Sequence, residues 1–186
     1  MNGYNSNTEA DKYRVNRALE LAANNLYNKF AQRGLLAGLK HLFRHEEVST
    51  LYTLEEVRRQ IRVHGHETVG EMTINLDMIK GTAADGRAQD FDIDFRPMQK
   101  HNKERWLGVA AAWISGRRLG RVKLVQVGDI FFVEDGHHRI SVAKAMGKQV
   151  IEAEVVRILG SGTLSAPVAI EQKPNSVGGT PMPAPA

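Results

Sequence analysis

Between Asp135 and Arg139 the chain reads Asp-Gly-His-His-Arg, and most of these residue types can handle an anion. An apolar run, Phe131 to Val133, precedes the motif, and a helix-like pattern from Ile140 to Met146 follows it. A helix that starts just after a glycine presents unpaired backbone N–H groups with partial positive charge, and the glycine lets an anion approach the backbone closely. Arg139, one turn in, carries a guanidinium able to fork onto two phosphate oxygens. His137 and His138 can donate hydrogen bonds to the same group, and Asp135 can orient a histidine or hold a cation. The plainer reading stays open on these residues alone: Asp135 caps the helix, Gly136 makes the turn, and the histidines are incidental.

The elements that must position this corner can be read on either side of it. Val122–Val127 and Ile130–Glu134 predict two strands joined at Gly128-Asp129, a hairpin signal. The helix after the corner closes at Gly147, and Gln149–Ile158 alternates apolar and charged residues as a strand with one wet face. Upstream, Asn102–Gly116 predicts a helix with an apolar stripe of Trp106, Val109, Ala110, Trp113 and Ile114. The stretch from about Glu71 to Ile79 has strand character. Thr53 followed by Glu56 forms a capping box ahead of Val57 and Ile61, and Thr8–Phe43 recurs at helical spacing. These elements predict an α+β fold with a small mixed sheet, divided into a helical N-terminal extension over 1–66, the sheet domain over 67–159, and a disordered tail over 160–186.

Further candidates lie outside the corner. The segment Gly81–Phe95 holds Thr82, Arg87, Asp90, Asp92 and Asp94; one reading brings Gly81, Thr82 and Arg87 to a phosphate and one aspartate to Mg²⁺. The other reading is an acidic loop pinned to the core by Phe91 and Phe95. His64 and His66, taken with His137 and His138, fit no zinc-ligand spacing and read as loop histidines. Trp106 and Trp113 share one helical stripe and read as packing residues.

The stretch from Val127 to Val155, with its Gly-x-x-Arg turn at Gly136 and Arg139, resembles the signature segment of the ParB/sulfiredoxin superfamily. The likeness spans roughly residues 68–158, where "INLDMIKGTAADGRAQDFD" resembles the family's opening strand and arginine-bearing loop and the order of elements is similar. Sulfiredoxins need a cysteine where His137 stands, and the chain has none, which excludes their reaction. Chromosome-partitioning ParB proteins carry Gly-Glu-Arg-Arg, of which Gly136 and Arg139 match, followed by a helix-turn-helix domain for which this chain has no room. The free-serine-kinase-like branch is nearest: its Asp-Gly-His-Thr-Arg is similar to Asp135 through Arg139, with His138 in place of Thr and no second acidic residue identified.

The resemblance implies a nucleotide cofactor (ATP, ADP or CTP, with or without Mg²⁺) and a phosphotransferase, small-molecule kinase or nucleotide hydrolase. It implies Asp135, His137 and His138 as catalytic groups, with Gly81, Thr82, Arg87, Gly136, His137, His138 and Arg139 binding the cofactor. The alternative from another class is a non-enzymatic module that binds DNA or a protein through the basic N-terminal helices.

Composition bounds both readings. A formal net charge of +4 admits nucleotide or nucleic acid as a partner, and a homodimer is compatible with it. The absence of cysteine excludes disulfides and thiolate chemistry. No run approaches the about 18 apolar residues of a membrane span, and no secretory leader is evident, so the expected location is cytoplasmic.

Overall fold

The computed structural model of the chain describes residues 6–44, 50–84 and 86–162. The fold is α+β, with one six-stranded mixed sheet. In chain order the elements are α1 (Ser6–Arg44), β1 (Tyr52–Thr53), α2 (Leu54–Arg58), β2 (Arg62–Asn75), β3 (Ile79–Thr82), α3 (Lys103–Ile114), β4 (Val122–Val127), β5 (Ile130–Asp135), α4 (His137–Ala145) and β6 (Val150–Ser161). The strands lie side by side as β1-β3-β5-β4-β6-β2.

The apolar run of β5 is continuous because the strand is buried on both faces. Phe131 and Val133 join Val122, Leu124, Ala153 and Val155 under Ile140 and Ala143 of α4. Ile130 and Phe132 join Val127 and Ile158 under Val57 of α2 on the opposite face. The helices stack outward from the sheet: Trp106 and Ala110 of α3 pack on Val142 of α4, and Ala23 and Phe30 of α1 pack on α3. Tyr27 meets the Trp106 ring edge-on at 5.2 Å, and the Trp106 indole N–H donates to Ser141 Oγ at 2.8 Å. Trp106 is therefore a core residue, as its place on the stripe predicts.

Two local signals form as expected. Thr53 caps α2 with both halves of the box in place, Thr53 N donating to Glu56 Oε2 and Glu56 N to Thr53 Oγ1. The β4–β5 hairpin turns at Gly128, whose φ of 58° suits a residue without a side chain.

The expected divisions of the chain need correction. Residues 50–66 are not part of a helical extension: Tyr52–Thr53 pairs with Gly81–Thr82, and β2 begins at Arg62. The physical reason is that β2 spans two textures, a charged half that pairs with the end of β6 and an apolar half that enters the core. Only the second half carries the alternation that predicts a strand. Gly160 and Ser161 likewise belong to β6, paired with Val63 and Arg62. Lys80–Thr82, read from the sequence as the start of a loop, instead form β3 with Ile79, between β1 and β5. The tail from 163 onward lies outside the described residues, as do the side chains of 34–44.

Candidate functional site

Strands β3 and β5 run parallel and adjacent, so the loops leaving their carboxyl ends meet at one edge of the sheet. A cavity of ≈ 460 Å³ opens there. Its wall combines Ala84 and Arg87 after β3, Arg105 and Val109 of α3, Leu119 and Gly120 before β4, and the whole run from Glu134 to Arg139.

Gly136 makes the corner possible. It sits at φ 107°, and a Cβ there would come within 2.6 Å of Val122 Cγ1. Among the described residues no side chain caps α4, and its first intrahelical bond is Ile140 N to Gly136 O. The alternative reading of Asp135 as the helix cap is therefore not met, and the first-turn N–H groups face the corner without a side-chain acceptor among the described residues.

His137 and His138 are both buried. His137 lies parallel to Phe91 at 5.9 Å, with Nε2 at 2.8 Å from Thr82 Oγ1. His138 meets the Phe91 ring edge-on at 5.4 Å, and its Nε2 is sealed from solvent with no partner among the described residues. Burial, with the charge of Arg87 beside it, pushes the His137 pKa down to about 4. Burial, with Arg105 and Arg87 nearby, does the same for His138, also to about 4. Both rings are neutral at pH 7, so each offers one N–H donor and no charge.

Arg139 differs from its expected role as a free phosphate fork. Its Nη1 donates to Gly120 O and Arg121 O, each at 2.6 Å, and Nη2 donates to Asp135 Oδ2 at 2.6 Å. The guanidinium clasps the 120–121 segment to the corner, and a phosphate would have to displace Asp135 to share Nη2. Asp135 is itself largely exposed.

The other expected residues separate into two groups. Arg87 lies in the cavity wall, and among the described residues its side chain is held only by a long contact of 3.4 Å to Asp90. Thr82 is buried behind the wall, where it accepts from Ala84 N at 3.0 Å and holds His137, a positioning role rather than a ligand's. Gly81 is not at the cavity. It is a packing glycine in β3, where a Cβ would strike Tyr52 O and come within 2.6 Å of the Phe132 ring.

Asp92 and Asp94 are bound up with Arg96 rather than turned to the corner. His64 pairs with Ser161 Oγ at 2.8 Å across the β2–β6 ladder. Among the described residues no group of three or more His, Asp or Glu is arranged to hold a metal ion.

Sequence reasoning missed Arg105, an exposed residue for which no ion pair is found among the described residues. The available signal was its place four residues before Val109, which puts both on one helical face. Comparison of the chain with family models, curated proteins and solved structures finds no match to any of them.

Proposed function

We propose that this cavity binds the phosphates of a nucleoside tri- or diphosphate (ATP, ADP or CTP), in a domain of the ParB/sulfiredoxin kind. The observation that carries the reading is the convergence of Arg87, Arg105 and the uncapped first turn of α4 on one cavity. Among the described residues, three arginines line it against two carboxylates, one of which is already paired with Arg139. A helix N-terminus and guanidinium groups favour the same charge, and phosphate matches both. The order of strand, Gly-x-x-Arg turn and helix supports the same assignment.

Glu134 and Asp135 give the cavity two carboxylates, both exposed. This donor set suits Mg²⁺, which takes one or two protein carboxylates and completes its shell with phosphate oxygens and water. The ion would supply charge neutralisation on the phosphates. With the histidines neutral, Nε2 of His137 held by Thr82 and Nε2 of His138 sealed from solvent, Nδ1 is the ring nitrogen left on each to donate a hydrogen bond to a phosphate oxygen, and neither ring serves as a proton donor. Asp135 is the carboxylate placed to assist transfer, once a phosphate has taken its place on Arg139. The reaction that follows is transfer to a small acceptor or hydrolysis.

Calorimetry and thermal shift with ATP, ADP, CTP and GTP, with and without Mg²⁺, test the reading. Binding of at least one of them that weakens in Arg87→Ala and Arg105→Ala is the expected result. No response to any nucleotide, together with salt-sensitive retention of DNA, would instead favour the non-enzymatic module.

A further inference from the structure

A second cavity adjoins the first. It is larger, ≈ 880 Å³, and shares Leu119, Gly120 and Arg139 with the first as a common ridge. The two differ in chemistry. The described residues of the first cavity's walls are mostly charged or imidazole, with no Phe, Tyr or Trp among them. The second is lined by Trp113, Ile114, Met146 and Val150, with Arg117 and Lys148 also in its wall.

Trp113 is only partly buried although it packs on the core through neighbouring residues, and Ile114 and Val150 are exposed by 36% and 51%. An indole left open in a cavity, beside an anion site, suits a flat aromatic group attached to phosphate. Ligand cavities combine apolar walls for the bulk of a molecule with a few placed polar groups for its charge, and here the two functions fall on opposite sides of one ridge.

We infer that the second cavity is the subsite for the base of the same nucleotide, stacked on Trp113, so that the ligand crosses the Leu119–Gly120 ridge with its phosphates at the Gly136 corner. The assignment rests on the phosphate reading given above. Arg139 is central to it, because its bonds to Gly120 O and Arg121 O fix the ridge that both halves of the ligand must cross.

Tryptophan fluorescence tests this on the unaltered protein. The chain has two tryptophans, and Trp106 is fully buried and bonded to Ser141, so a change on ligand binding reports Trp113. ATP and CTP are compared with inorganic tripolyphosphate, with calorimetry run in parallel. The expected result is quenching by a nucleotide and not by tripolyphosphate, with the nucleotide bound about tenfold or more tightly than tripolyphosphate. In Trp113→Ala that advantage should vanish, leaving tripolyphosphate affinity unchanged. Equal binding of nucleotide and tripolyphosphate, or a tighter-binding nucleotide without quenching, would overturn the base subsite while leaving the phosphate site standing. Binding of none of the three ligands would overturn the phosphate reading itself.

Discussion

Two polar clusters flank the ring of Phe91, and they use their charges in opposite ways. In the loop around Asp92, most of the charge is spent within the loop: Asp92 Oδ1 accepts from Asp94 N at 3.0 Å and Arg96 N at 2.8 Å, and Arg96 Nη1 reaches Oδ2 at 3.2 Å, with Arg96 Nε left buried and unpartnered among the described residues. At the Gly136 corner, among the described residues, no side chain caps the backbone donors of α4, and Arg87 and Arg105 line open space. Both regions are dense in charge, and both rest on the same core. The contrast teaches that a cluster of ionisable residues indicates a site only where its donors or acceptors are left over after folding; the aspartate-rich loop has largely consumed its own.

Four measurements can break or sharpen that contrast. The largest effect of a single substitution is expected from Gly136→Ala, which forces an L side chain into a left-handed backbone and against Val122; a loss of about 3 kcal/mol or more should appear in chemical denaturation. A corner that tolerates alanine would mean that the turn is less constrained than its φ and close approach imply.

Acid comes next. His137 and His138 have folded-state pKa values near 4, below the ordinary 6.5, so the unfolded chain takes up protons that the folded chain refuses. Their contribution is complete above about pH 6.5 and is lost as pH falls toward 4, by on the order of 3 kcal/mol for each ring. Burial raises the pKa of Asp92, which works in the opposite sense and does not add to that loss. Bound phosphate should reduce the loss, since an anion favours protonated imidazole. Denaturation midpoints that stay level between pH 7 and 4.5 would contradict the burial of the two rings.

Asp92→Ala should cost about 2 kcal/mol by removing the acceptor for three donors, and should leave nucleotide affinity unchanged. A change in affinity would make the acidic loop part of the site. The smallest effect on stability, within about 0.5 kcal/mol, is expected for Arg105→Ala, because the side chain is exposed and unpaired among the described residues. Calorimetry should nonetheless show a loss of roughly tenfold or more in nucleotide affinity if the arginine serves the phosphates.

Much of the fold was legible because it rests on short-range rules. The Thr53 capping box, the Gly128 hairpin, the alternation of Ile151, Ala153 and Val155, and the stripe through Trp106 and Ala110 all depend on neighbours within a few residues. What escaped were long-range pairings with weak local pattern: Tyr52–Thr53 is too short to announce a strand, and the first half of β2 is charged because its partner is the far end of β6. Gly81 shows how the same residue type misleads. A glycine next to a threonine suggests a phosphate loop, whereas here it admits a strand and a phenyl ring.

The sequence by itself determined that a helix would follow a glycine at residue 136, because backbone geometry and the lack of a side chain act locally, whereas the structure decided that Asp135 pairs with Arg139 and leaves that helix uncapped. It also determined that no thiol chemistry is available. Only the tertiary structure decided which charges surround that helix end. Parallel pairing of β3 with β5 carries Arg87 to it, and the packing of α3 on α4 brings Arg105. The same folding turns Arg139 back onto Asp135 and two carbonyls. Such placements depend on contacts between residues far apart in the chain, and no spacing along the sequence encodes them directly.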